Sequence, residues 1–198
     1  KRLIDATEAE MVWLPGVSLG DGIVAEFAEQ RRLIRFPHDL SKDILVAARN
    51  IAKRYMSDQG HSAVLEKNVL NIFDGMKKYH GLGKRERLLL QISAILHDCG
   101  NYISMKMPGE CAYNIILSTE IIGVSHRERV IIANVVKYNT VEFDYTTGDV
   151  SLNKSMRITI AKLTAILKIG NAMDRSQKQK FKDVKISVKD QQMFITTS

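Results

Sequence analysis

LLLQISAILHDCGNYIS, residues 88–104, opens on a nearly continuous apolar run: Leu88, Leu89, Leu90, Ile92, Ala94, Ile95 and Leu96. Such a run is either a buried strand or a buried helix. Here it is Leu-rich rather than β-branched and follows the charged residues 84–87, which favours a buried helix. It ends in His97-Asp98. An aspartate is seldom buried without a partner, so its position calls for a cap, an ion pair or a metal.

Working outward from this helix, the helical period recurs. Ile44, Leu45, Ala48, Ile51, Ala52 and Tyr55 predict a helix opened by Pro37 and running through Met56. Gly60 then reads as a break, and Val64, Leu65, Val69, Ile72, Phe73 and Met76 predict a helix over about 61–79, stopped by HGLG at 80–83. Gly109 precedes an expected helix at 110–122. Ser125 with Glu128 three residues on is a capping box, opening a helix to about 138. Residues 139–153 read as a polar loop. Met156, Ile160, Leu163, Ile166, Leu167 and Met173 predict a helix over 154–175. Upstream, Pro15, Gly16 and Gly20 suit a strand end and loop over 1–20, and Ile23, Val24, Phe27, Leu33 and Ile34 have rough helical spacing over 22–34. The tail alternates as Val184, Ile186, Val188 and then Phe194, Ile195, with Asp190 between, the pattern of a hairpin. Two strands alone bury too little to be stable, so the hairpin is expected to pack on the bundle or to belong to a further β-rich domain.

The 198 residues, 45% hydrophobic and 26% charged, fit one globular domain with pieces of neighbours and exclude wholesale disorder. The first residue is not Met and the last residues read as a strand cut short, so an excised piece of a longer protein is expected. No eighteen-residue apolar window is present, so no membrane partner is expected. Cys99 and Cys111 form no CxxC; they read as small core residues of a protein from a reducing compartment, the cytoplasm. The net charge of +7 predicts attraction to polyanions. Aromatics are only 7%, with none interleaved among the basic runs, which argues against specific nucleic-acid binding. Trp13 and Tyr102 read as packing residues.

Helix length supplies a second candidate ligand. At 1.5 Å per residue, helices over 61–79 and 85–98 are about 28 and about 20 Å long. A short connector makes them antiparallel neighbours, which returns His97-Asp98 toward His61. Two imidazoles and a carboxylate between helices make a metal-site arrangement. A capping or hydrogen-bonded His pair is the plainer alternative.

His61, then His97-Asp98 in AILHDCG, and a later helix ending NAMDRS resemble the HD superfamily of metal-dependent phosphohydrolases. More narrowly, 88–104, CAYNII at 111–116, GVSHRERVIIANVVKYN at 123–139 and LTAILKIGNAMDRS at 163–176 resemble the C-terminal region of the Ppx/GppA family, the exopolyphosphatases and guanosine pentaphosphate phosphohydrolases. SLGDGI at 18–23 resembles the segment where that family's actin-like catalytic domain hands over to the helical one. The resemblance implies a mainly α fold, an HD-like helical bundle with a short β-hairpin or truncated β segment at its C-terminus. It implies a division into 1–35, the tail of the actin-like domain with a linker helix; 36–176, the HD-like domain; and 177–198, the start of a β-containing segment. It also implies His61, His97, Asp98 and Asn171 as the metal positions, the last where HD enzymes carry an Asp in a Leu-Ala-Asp context. Here that place reads Ile169-Gly170-Asn171, a neutral amide. Asp174, one turn on, could partly compensate, but reads more simply as a polar or capping residue. Asn101 stands where many HD hydrolases have Lys, and Glu110 and Asn139 stand where family members have His. The site therefore reads as degraded, holding a divalent metal (Mg, Mn or Zn) weakly or not at all. Nothing before residue 18 provides a phosphate loop or an acidic catalytic set, so no catalytic residue carries over.

Two basic clusters stand out. Residues 77–87 hold Lys77, Lys78, Lys84, Arg85 and Arg87 against Glu86, and residues 175–189 hold Arg175, Lys178, Lys180, Lys182, Lys185 and Lys189 against Asp183. Arg127, Arg129 and Lys137 form a third group. Lys84, Arg85, Arg87, Arg127, Arg129, Lys137, Arg175 and Lys178 are the expected phosphate-binding residues, with solvated helix ends as the bland alternative. The leading expectation is an accessory domain that binds polyphosphate or a phosphorylated nucleotide and supports a homodimer, inactive alone. The alternatives are an active metal-dependent HD phosphohydrolase acting on a nucleotide, and a non-enzymatic dimerisation module.

Overall fold

The computed structural model describes residues 11, 16–31, 33–34, 39–143, 152–176, 178, 184–189 and 192–197. Residues 1–10, Trp13, Pro15, Pro37, the loop segment 144–151, Lys180, Lys182, Asp183 and Asp190, to which readings above refer, lie outside the described residues. The chain divides into two compact units, 1–39 and 40–198.

In the first unit, α1 spans Leu19–Gln30. It starts earlier than its apolar spacing predicts and takes in Gly20, which had read as loop. The cause is a capping box: Ser18 Oγ accepts from Asp21 N–H at 3.2 Å, and Asp21 Oδ2 accepts from Ser18 N–H at 2.7 Å. Leu19, Ile23, Val24 and Phe27 on this helix are exposed.

The second unit is mainly helical: α2 (Leu40–Arg54), α3 (Gln59–Gly75), α4 (Lys77–His80), α5 (Lys84–Leu96), a 3-10 turn (Cys99–Tyr102), α6 (Pro108–Ser118), α7 (His126–Thr140) and α8 (Lys154–Met173), then strands β1 (Val184–Lys189) and β2 (Gln192–Thr197). The 88–96 run is a helix, as its Leu content predicts. It is the central one: α5 packs against α2, α3, α7 and α8, and every residue from Leu88 to Leu96 except Gln91 is buried.

Gly60 is not the break between α2 and α3. The chain turns at Met56, which takes a left-handed φ of 51°. Asp58 then caps α3 by accepting from Gly60 N–H and His61 N–H at 2.8 and 3.0 Å. The single helix expected over 61–79 is two, parted at Met76, whose ψ of 6° leaves the helical well. Pro108 sits in the first turn of α6. The Ser125 capping box holds, with Ser125 Oγ accepting from Glu128 N–H.

β1 and β2 pair antiparallel with Val184 opposite Thr197 and Lys189 opposite Gln192. The hairpin packs on α3. Asn71 Nδ2 donates to Val184 O at 3.2 Å, and Ile186 lies so close to Gly75 that a Cβ there would meet its Cβ at 2.6 Å. The same tightness joins α8 to α3, where a Cβ on Gly170 would meet Val69 Cγ1 at 2.6 Å. Among the described residues no helix is long and apolar enough to cross a membrane. Tyr102 is exposed and lays a ring edge on Tyr55, with centroids 6.0 Å apart.

Candidate functional site: a polar cluster and its adjoining cavity

Three chain segments meet beside the close α3–α8 contact. The first turn of α3 brings His61, the turn after α5 brings His97 and Asp98, and the end of α8 brings Asn171 and Asp174. Asp58, which caps α3, also donates its N–H to Asp98 Oδ2 at 3.1 Å, so the same residue ties the start of α3 to the end of α5. The His61 and His97 ring centroids are 5.0 Å apart. The convergence read from helix lengths is thus present, with His61 against both His97 and Asn171 and with Asp98 beside His97.

Asp174 carries more than its reading as a polar or capping residue implied. It is 2% exposed, and its Oδ2 lies 2.9 Å from His61 Nδ1. Asn171 Oδ1 lies 3.2 Å from His61 Nε2. The available signal was the three-residue spacing, which puts Asn171 and Asp174 on one face at the helix end.

This geometry tests the set against a divalent cation. Both His61 ring nitrogens stand at hydrogen-bond distance from side chains of the α8 end, Nδ1 from Asp174 and Nε2 from Asn171. Turning the Asn171 amide would set its NH2 on Nε2 and use that lone pair instead. In both arrangements Asn171 and Asp174 cover the two His61 ring nitrogens. His97 Nδ1 donates to Ala94 O at 2.9 Å and stands 4.0 Å from Asp98 Oδ1. Burial pushes the His97 imidazole below its ordinary range despite the opposing pull of Asp98. Asp98 Oδ1 is buried without a hydrogen-bond partner. That leaves one carboxylate oxygen and His97 Nε2 beside a hydrogen-bonded His61 and a neutral amide, a poor donor set for a divalent ion. Among the described residues no group of three or more His, Cys, Asp or Glu is arranged to hold one.

Alongside the cluster lies a cavity of about 340 Å³. His61, Asn171 and Asp174 line it together with Lys168, Ala172 and Arg175 from α8 and the turn after it, and Asn139 from α7. Lys168 donates to Val141 O at 3.2 Å. Asn139 Oδ1 is buried and finds no hydrogen-bond partner. Lys168 belongs to no basic run, so no pattern in the sequence marked it. The same holds for Lys154, Arg157 and Lys162, which with Phe143, Ile158 and Ala161 line a second cavity of about 500 Å³.

The structure spreads the expected phosphate-binding residues over separate places. Arg85 Nη2 lies 2.9 Å from Glu128 Oε2 and also donates to Gly123 O. Arg87 makes a two-pronged pair with Asp74 at 2.8 and 2.7 Å. Arg129 donates to Thr119 O. Lys137 pairs with Glu110 at 2.8 Å, which joins that departure from the family pattern to a local ion pair. Lys84, Arg127, Arg175 and Lys178 are exposed. Of these eight, only Arg175 lines the cavity beside the polar cluster.

Residues 45–197 match the family described as Ppx/GppA phosphatase, domain III. Over 135 residues, 68% of the chain, the sequence is 22% identical to a protein of Photobacterium profundum named guanosine-5'-triphosphate,3'-diphosphate pyrophosphatase. The matched region spans 26% of that relative's length.

Proposed function

The chain belongs to the Ppx/GppA phosphatase family through its domain III, and from that premise we propose that it is an accessory domain of a phosphoanhydride hydrolase, binding a polyphosphate-like anion rather than cleaving it. The observation that carries this reading is the site itself. Of the side chains an HD hydrolase would use for a metal, His61 is hydrogen-bonded to Asn171 and to Asp174 and His97 to the Ala94 carbonyl, while Lys168 and Arg175 border the cavity next to them. Phosphoryl oxygens are well matched by a guanidinium fork and an ammonium. In this reading the metal centre is lost or binds weakly, the parent acts in the cytoplasm as a homodimer, and chemistry belongs to another domain.

The test is a titration of the 198-residue chain with polyphosphate at rising ionic strength. Charge-driven binding is expected to weaken by about tenfold or more between low and physiological salt. Magnesium-dependent phosphate release by the chain alone, or binding indifferent to salt, would overturn the proposal. One observation favours the second reading, a metal-dependent hydrolase: Asp98 Oδ1 is a buried carboxylate oxygen without a partner. Elemental analysis separates the two, since that reading requires close to one metal per purified chain.

A further inference from the structure

We infer that the cavity of about 340 Å³ beside the polar cluster is the seat of the anion's end, taking a terminal phosphoanhydride group between Lys168 and Arg175. The inference rests on the proposed polyanion-binding role and gives that role an address.

The lining selects the ligand class. Its side chains are polar apart from Ala172, and no Phe, Tyr or Trp lines it; its one ring, His61, is buried and held by Asp174 and Asn171, so it offers a nucleobase little stacking surface. Its two cations lie seven positions apart, Lys168 within α8 and Arg175 in the turn after it. Along a helix that spacing is about 10 Å, suited to two long side chains closing on adjacent phosphoryl groups from either side. The one carboxylate in the wall, Asp174, has its Oδ2 on His61 Nδ1 at 2.9 Å, and Lys168 and Arg175 outnumber it in the lining. Asn139 brings a buried amide oxygen that the protein leaves without a partner, an acceptor that a water could link to a phosphoryl oxygen by donating to both. Lys168 donates to Val141 O and keeps two further N–H groups. Arg175 makes no ion pair among the described residues.

A purely structural account exists: cations near a helix C-terminus offset the negative end of its dipole. That account predicts an effect on stability and none on binding. Calorimetric titration of the 198-residue chain with inorganic phosphate, tripolyphosphate and guanosine triphosphate decides between the two. The expected result is that tripolyphosphate binds, inorganic phosphate binds more weakly, and guanosine triphosphate gains nothing from its base. Lys168→Gln and Arg175→Gln should each weaken tripolyphosphate by about tenfold, the loss expected for a charged hydrogen-bonding partner. Arg54→Gln, an exposed cation on α2, should not. Lys168→Arg should retain most of the affinity, which guards against a fold effect, and unfolding midpoints check each variant. Unchanged tripolyphosphate affinity in both Gln variants overturns this site while long polyphosphate binding leaves the accessory role standing. Absence of binding by either polyanion overturns both.

Discussion

The two ends of the bundle's basic surface teach opposite lessons. At the start of α5, Lys84, Arg85 and Arg87 crowd the first turn, where the helix dipole disfavours positive charge. The fold answers with carboxylates. Glu128 meets Arg85, Asp74 meets Arg87, and Glu86 turns back to accept from Gly83 N–H. At the end of α8, Lys168 and Arg175 sit where the dipole favours them, and neither has a carboxylate partner among the described residues. A run of basic residues in sequence therefore says little about charge on offer to a ligand. The denser cluster is largely neutralised, and the sparser one faces a cavity.

The largest expected effect tests what holds the α8 end in place. Asp174→Ala removes the buried partner of His61 and should cost about 3 kcal/mol of stability, read as a lowered urea midpoint. A loss below about 1 kcal/mol would mean that the cluster does not clamp α8 to α3. A smaller effect is expected at the other end. Arg85→Gln with Arg87→Gln should cost about 1 kcal/mol, since partly exposed ion pairs contribute little, and should leave polyphosphate affinity within about twofold. A larger fall in affinity would erase the contrast between the two ends.

Acidification sharpens the contrast further. The hydrogen bond from Arg85 holds the Glu128 carboxyl at about 2, against an ordinary value of 4.5. A depressed carboxylate stabilises the fold above its unfolded value, and that stability is lost as pH falls from about 4.5 toward 2. Arg85→Gln should flatten this part of the stability-versus-pH curve. An identical curve in the variant would show that the pair does not couple to folding. The smallest effect concerns reactivity alone. Burial pushes the Cys99 thiol up to about 12, so at pH 8 an alkylating reagent should modify Cys111 well before Cys99, read by peptide mass mapping.

Much of the fold was legible because its signals are local. The apolar period marked α2, α3, α5 and α8, the Ser125–Glu128 box marked the start of α7, and alternation around residue 190 marked the hairpin. Local signals also misled where two competed. Gly20 read as loop, yet the Ser18–Asp21 box starts α1 ahead of it. Gly60 read as a break, yet the Asp58 cap puts it in the first turn of α3. In the site, His61, His97 and Asp98 could be brought together by helix length. Asp174 was undervalued because its partner is 113 positions away. For the same reason the pairing of Arg85 with Glu128, 43 positions apart, was invisible in a count of charges. Burial and ion pairing between distant segments are decided by packing, which no local period encodes.

The claim that the anion-binding surface lies at the end of α8 and not at the start of α5 can be tested by mapping amide chemical shifts of the labelled 198-residue chain during a polyphosphate titration at low salt. The account predicts the largest, saturable shifts at residues 168–176 and at Asn139, with little change across 84–87. Dominant shifts across 84–87, with residues 168–176 unmoved, would contradict it.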